Sequence, residues 1–387
     1  MSKRTVGVIT GSRAEYGLLK PLISRIYTDP NLNLQLCVTG SHLCPDQGYT
    51  INGIIEDQFP IYRKIDTLLA SHSKEGTSKS IGLGIVGFAD LFANDPCDIL
   101  VLLGDRFEIM SAAIASLPFN IPIAHIHGGE LTEGAFDDAI RHSLTMMSHL
   151  HFVSTDEYAR RVTQLGVEQH RIFNVGALSC ENVLNLNPLS LAELSERYNF
   201  EFKEEYLLIT FHPVTKELDQ TQTYVNNLLT ALKKFNIQKI FTAPNNDTYG
   251  ATISKEIKNY IKSNDNAHLV NNFGTEGYLS AISHATAMVG NSSSGILESL
   301  YYKVPAVDIG TRQKGRIKTQ NVLETGYSVP EIFNTINTAL APEHLNKCQN
   351  IKNIYGSGDT SSKIHEIISN LKNGDSLLNK RFMNLNR

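Results

Sequence analysis

The chain has 387 residues, a length for two or three domains. Hydrophobic residues make up 41% and charged residues 19%, the balance of a folded globular protein rather than a disordered or fibrous one. With 35 Lys and Arg against 39 Asp and Glu, the net charge of −4 offers no global basic field for nucleic acid or an anionic membrane.

From the N-terminus, Met1-Ser2-Lys3-Arg4 runs into a short apolar stretch, Val6 to Ile9, too short for a signal-peptide core. No run approaches the ~20 apolar residues of a membrane helix. Thr5 to Thr10 reads as a strand, Leu18 to Ile26 as a helix, and Leu32 to Val38 as an alternating strand. Gly82-Leu83-Gly84-Ile85-Val86-Gly87 matches a dinucleotide-binding pattern, but Lys74 to Ser80 before it is no strand. The glycines are therefore read as helix-packing positions, and no NAD is expected. Asp98 to Gly104 is a near-continuous apolar run, as in a strand buried on both faces. Pro122 to His127 and His151 to Ser154 follow as strands.

After a polar connection near Asn182 to Phe202, the pattern restarts. Glu205 to Phe211, Ile237 to Thr242, His268 to Val270, Ala287 to Gly290 and Pro305 to Ile309 are the next strands. Strands alternating with helices predict an α/β protein with parallel sheets in two Rossmann-like domains. The expected division is 1–182, 203–360, and a C-terminal helix and tail, 361–387. The last helix could join either domain, the first being the favoured partner, and the polar end from Asn373 is expected to be loose. Five scattered cysteines with no CxxC predict reduced thiols and a cytoplasmic place, not a disulfide framework or a cysteine-rich zinc site.

Ligands of open α/β sheets bind beyond the carboxyl ends of the strands. The polar clusters lie there: Gly11-Ser12-Arg13, Gly104-Asp105-Arg106, His127-Gly128-Gly129-Glu130, His212-Pro213-Val214, Pro244-Asn245 and Gly290-Asn291-Ser292-Ser293-Ser294-Gly295. Three belong to each half, so the active site is expected in the interdomain cleft. Gly290 to Gly295 precedes Ile296 to Tyr301, which reads as a helix. Its free N–H groups, its dipole and the serine hydroxyls would hold a phosphate, with a plain helix cap as the alternative. Glu298, one turn on, could accept from a ribose diol or sit in solvent. Arg13, with a fork suited to phosphate, and the Arg312–Arg316 patch have surface alternatives.

Asp105 is a candidate base or a partner for Arg106. His125 and His127 are expected on one strand face, but no third ligand completes a metal site. Asp137 with Arg141, and Asp138 with His142, stand four apart on a helix, as acid–base groups or plain ion pairs. His212 follows a strand and is structural or functional.

Together these stretches resemble the hydrolysing branch of the UDP-N-acetylglucosamine 2-epimerases, which make N-acetylmannosamine for sialic-acid-type sugars. The similarity runs through Gly11 to Tyr16, Gly40 to Leu43, Gly104 to Phe107, His125 to Glu130, Asp137 to His142, His212 to Thr215, Gly290 to Ser293, Glu298 and Gly310 to Arg316, in order along the chain. It implies the two-domain GT-B architecture, a homodimer or homotetramer, and a UDP-sugar substrate with no metal or other cofactor. It assigns Arg13, Ala14, Arg106, His212, Asn245, Ser292, Ser293, Glu298 and Arg312 to UDP. Asp105, Glu130 and Asp137 become acid–base candidates, with His42 and Arg141 nearby. Many relatives carry Glu where this chain has His127, so His127, Glu130 and Asp105 all remain candidates for that position's proton transfer. A changed sugar, such as UDP-2,4-diacetamido-2,4,6-trideoxyglucose on the way to legionaminic acid, is the alternative substrate. The other readings are a GT-B glycosyltransferase, a non-hydrolysing epimerase and a silent UDP-sugar sensor.

Overall fold

The computed structural model describes residues 3–45, 48–69, 73–133, 136–214, 216–244, 250–371 and 377–384. Seven strands form the first sheet: β1 (Arg4–Thr10), β2 (Leu32–Thr39), β3 (Ile61–Ile65), β4 (Ile99–Leu103), β5 (Ile123–Ile126), β6 (Leu150–Val153) and β7 (Ile172–Asn174). They lie in the order β3-β2-β1-β4-β5-β6-β7, every neighbouring pair parallel. Six strands form the second: β8 (Tyr206–Thr210), β9 (Gln238–Thr242), β10 (Ala267–Val270), β11 (Ala287–Gly290), β12 (Ala306–Ile309) and β13 (Val322–Thr325). Their order is β10-β9-β8-β11-β12-β13, again all parallel.

The continuous apolar run of β4 has its reason in this layering. Ile99, Val101 and Leu103 join Val6, Val8, Leu34 and Leu36 on one face, against Leu19, Leu22 and Ile26 of the helix Arg13–Thr28. Leu100 and Leu102 join Ile9 and Cys37 on the other, against Phe88 and Phe92 of the helix Lys74–Asn94. The Gly82–Gly87 pattern lies inside that helix, where a Cβ on Gly84 would stand 2.8 Å from Ser111. The glycine serves close helix packing, not a pyrophosphate turn. In the second sheet Leu207, Ile209, Phe241, Val289 and Val307 pack with Val225, Leu228, Ile332 and Ile336.

The chain divides into one unit of residues 1–130, 137–182 and 355–387, and another of 131–136 and 183–354. The polar connection therefore groups with the second unit from Val183, earlier than the expected 203, and its helix Leu191–Tyr198 starts with a Ser190–Glu193 capping box. The last helix, Thr360–Ser369, packs on the first unit. Its Ile364 and Ile368 enter that core, and Ser361 Oγ donates to Glu181 at 2.6 Å. The expected loose end is instead fastened over residues 377–384. Arg171 donates to the carbonyls of Leu377 and Asn379 at 2.8 and 3.0 Å, and Met383 N–H donates to Gly166 O at 2.8 Å. All five cysteines are free thiols. Among the described residues no helix is long and apolar enough to cross a membrane.

Strand order reverses between β1 and β4 in the first sheet and between β8 and β11 in the second. Each switch point is where an open parallel sheet has a crevice at the carboxyl ends of its own strands. The loops there are Gly11–Arg13 and Gly104–Arg106, and His212–Val214 and Gly290–Ser293.

Candidate active site

In the first unit, one arginine gathers most of the acid–base candidates. Arg141 sits on the helix Asp137–Met147 and is almost fully buried. Its Nη2 donates to Asp105 Oδ2, its Nη1 donates to the His127 carbonyl at 2.8 Å, and Nη1 lies 3.9 Å from Glu130 Oε2. Glu130 accepts from Ser154 Oγ at 3.0 Å and stands 3.7 Å from His127 Nδ1. The Leu178 N–H donates to His127 Nε2 at 3.3 Å, so a neutral His127 carries its proton on Nδ1, facing Glu130. The Asp105 side chain is 17% exposed and that of Glu130 2%, which leaves Asp105 the more accessible carboxylate.

His127 does not share the face of His125 as alternation along a strand predicts. β5 ends at Ile126, and His127 turns into the left-handed region at φ 65°. Such a conformation costs a non-glycine residue about 1–2 kcal/mol, which the bonds to Arg141 and Leu178 offset. His125 stays inside the sheet. Its Nε2 donates to the Gly104 carbonyl at 2.7 Å and its Nδ1 lies 3.3 Å from Thr145 Oγ1, so it props the turn that carries Asp105. Burial pushes its pKa down to about 4. Asp137 opens the Arg141 helix and is half-buried. The adjacent pair, Asp138 and His142, stands 3.7 Å apart.

Arg13 and Ala14 are exposed at the start of their helix, which Ser12 caps by accepting from the Glu15 N–H. Arg106 donates to both oxygens of Glu108 at 3.2 and 3.3 Å. His42 departs from its expected place beside a ligand. It is wholly buried, with Nε2 3.0 Å from Thr10 Oγ1 and Nδ1 2.8 Å from Thr50 Oγ1. Both ring nitrogens are used inside the fold, and burial lowers its pKa to about 4. Its task is to hold the turn after β2. Glu15 and Glu108, which sequence reasoning passed over, lie buried beneath the same loops. Glu15 Oε2 accepts from the Gly11 N–H at 2.8 Å, and burial, more than the neighbouring Glu108 carboxylate, raises its pKa to about 7.

In the second unit, His212 is buried at the end of β8, and burial, then Arg312, hold its pKa well below the ordinary value. Its imidazole is therefore neutral at physiological pH. Arg312 Nη1 donates to the Asn291 carbonyl at 3.1 Å. Gly290, at φ 144°, is required where it stands, because a Cβ would lie 1.9 Å from the Thr210 carbonyl.

The helix expected over Ile296 to Tyr301 starts two residues later than predicted. Ser293–Gly295 is a 3-10 turn, and only Glu298–Tyr301 is α-helical. Four residues carry little macrodipole, so an anion here would rely on the turn's backbone and the hydroxyls. Ser292 realises the cap alternative, accepting from the Ser294 N–H at 3.3 Å. Ser293 is half-buried on the same turn. Glu298 is not a solvated residue: its Oε2 is buried with no partner among the described residues, and burial raises its pKa. Asn245 lies outside the described residues. Among those described, no three His, Cys, Asp or Glu side chains group as metal ligands.

The family model for UDP-N-acetylglucosamine 2-epimerase matches residues 24–369. The chain is 43% identical over 327 residues to the GDP/UDP-N,N'-diacetylbacillosamine 2-epimerase (hydrolyzing) of Campylobacter jejuni, covering 84% of this chain and 85% of that one. It is 33% identical over 377 residues to the UDP-N,N'-diacetylbacillosamine 2-epimerase (hydrolyzing) of Legionella pneumophila, covering 97% and 98%. The crystal structure of UDP-GlcNAc 2-epimerase from Neisseria meningitidis bound to UDP-GlcNAc has the same fold, with a TM-score of 0.82 at 17% identity over 94% of this chain and 99% of that one. The sequence motifs, the two parallel sheets and these likenesses agree: the chain belongs to the UDP-N-acetylglucosamine 2-epimerase family, among its hydrolysing members.

Proposed function

We propose that this enzyme converts a UDP-2-acetamido sugar and water into the free 2-epimer and UDP. The observation that carries the reading is the Arg141 fork, which joins Asp105, the His127 backbone and the surroundings of Glu130 into one buried network. The C2–H of a pyranoside is not beside a carbonyl, so no side-chain base removes it unaided. When the C1–O bond breaks, its electron pair leaves with UDP, C1 becomes cationic and C2–H becomes acidic. Loss of that proton gives a glycal. Water then adds its oxygen to C1, and a proton reaches C2 on the opposite face, which inverts that centre. The net reaction consumes one water, and no redox cofactor is called for because C2 is never oxidised.

In this scheme Asp105 exchanges the C2 proton and Arg141 fixes its carboxylate. Asp137, on the Arg141 helix, is the second carboxylate. Glu130 is too buried to reach a sugar directly and acts by orienting His127 and Arg141. Arg13, Arg106, His212, Ser292, Ser293 and Arg312 stabilise the departing diphosphate, the main electrostatic task. Glu298, with a buried oxygen awaiting a donor, accepts from the ribose diol. Ala14 and Asn245 complete the nucleotide contacts. A cytoplasmic place suits the free thiols.

UDP-N-acetylglucosamine is the simplest substrate of this kind. The names of the Campylobacter and Legionella relatives favour a second reading, the diacetamido sugar UDP-N,N'-diacetylbacillosamine. NMR of the products from the two UDP-sugars, side by side and without an acceptor, tests both. Free manno-configured sugar plus UDP from either one supports the proposal, and the faster substrate identifies the sugar. UDP release only with an added acceptor would make the protein a glycosyltransferase, and epimerised UDP-sugar would make it non-hydrolysing.

A further inference from the structure

Asn291 was not among the residues expected to matter, yet it is wholly buried and fully engaged. Its Oδ1 accepts from the His212 N–H at 2.7 Å, and its Nδ2 donates to the His212 carbonyl at 2.9 Å. A backbone N–H can only donate and a carbonyl only accept, so the orientation of the amide is determined by its partners. The Asn291 N–H donates to the Thr210 carbonyl at 3.1 Å. Its own carbonyl accepts from Arg312 Nη1 at 3.1 Å and from Gln313 Nε2 at 3.0 Å. One residue thus ties together the loops after β8, β11 and β12, and two of its partners, His212 and Arg312, belong to the proposed diphosphate grip.

We infer that Asn291 is the positioning residue of that grip, holding the His212 backbone and the Arg312 guanidinium in register for a nucleoside diphosphate. The inference rests on the reading that His212 and Arg312 bind the diphosphate. The reciprocal amide pair is what a purely apolar filler could not supply. Any residue smaller than Asn, or lacking one of the two functions, leaves a buried backbone group of His212 unpaired.

The test is Asn291→Asp, with UDP affinity measured by calorimetry on the full chain at about pH 8 and about pH 6, beside thermal melts at both. An ionised carboxylate still accepts the His212 N–H but sets a negative oxygen against the His212 carbonyl. UDP affinity near pH 8 is expected to fall about tenfold relative to the wild type. A protonated carboxyl has the donor and acceptor of the amide, with His212 and Arg312 as its ionisable neighbours. Near pH 6 the deficit relative to wild type is expected to shrink to about threefold or less. A residue that merely fills space predicts the same deficit at both pH values. A folded variant with wild-type affinity at the higher pH overturns the inference, and so does a deficit that does not shrink. If Asn291→Asp does not fold, Gln313→Met removes one donor from the Asn291 carbonyl and is expected to weaken UDP about threefold. Unchanged affinity there also overturns the inference. If the wild type itself binds no UDP, it is the functional reading that fails.

Discussion

Glu15→Gln isolates the electrostatics beneath the first unit's site. Among the described residues, three helices begin with Ser followed three residues later by Glu. At Ser190–Glu193 and Ser328–Glu331 the acid is exposed, and hydrogen bonds from the serine hold its pKa below the ordinary value. At Ser12–Glu15 the acid is buried and shifts the other way, from 4.5 to about 7. The unfolded chain therefore ionises first as pH rises. The contribution of Glu15 to stability is fully present below 4.5 and is lost as pH rises through about 7. At about 1.4 kcal/mol per pH unit, the ionised acid costs the folded state about 3 kcal/mol above that range. Gln has nearly the same shape, keeps an acceptor for the Gly11 N–H and does not ionise. Any loss from a weaker hydrogen bond does not depend on pH. Urea unfolding followed by far-UV circular dichroism from pH 4.5 to 8.5 should thus show the stability of Glu15→Gln, relative to wild type, rising by about 3 kcal/mol across the range. A difference that stays flat with pH would refute the reasoning, whatever its sign.

Burial lowers the pKa of His42, His125 and His149 to about 4, and holds that of His151 well below its ordinary value. The unfolded state takes up these protons first, so stability is expected to drop as pH falls from about 6.5 toward 4, seen as a falling Tm. Neither ring nitrogen of His151 has a partner among the described residues, so His151→Phe should lessen that acid loss. Lys318 lies 2.9 Å from the buried Asp308 carboxylate, and Lys318→Ala should destabilise by about 3 kcal/mol in denaturant titration because it strands that charge. Asp105→Asn should leave UDP affinity near the wild-type value and suppress turnover; equal loss of both would make Asp105 structural.

The central strands and the loops after them were legible because each central strand is buried on both faces and each polar cluster interrupts an apolar run. The three strands missing from the sequence pattern are β3, β7 and β13, all at sheet edges. An edge strand has fewer buried positions, and Tyr62, Arg63 and Lys64 in the middle of β3 are exposed, so no apolar run marks it. Most candidate residues were found because charge or hydroxyl chemistry sits conspicuously at a strand end. Asn291 was missed although it lies in the serine motif. Its partner is the backbone of His212, 79 residues away, and no spacing reports such a bond. The partners of His42 were hidden for the same reason. A histidine after a strand looks the same in sequence whether its ring faces a ligand or, as here, two threonines.

The central claim is that departure of UDP makes C2–H acidic, so that C2 exchanges its hydrogen with solvent during epimerisation. Running the reaction to completion in D₂O and recording the proton spectrum of the free sugar tests it directly. The account predicts deuterium at C2 in essentially every product molecule, together with stoichiometric UDP. Free manno-configured sugar that keeps its original hydrogen at C2 would contradict it.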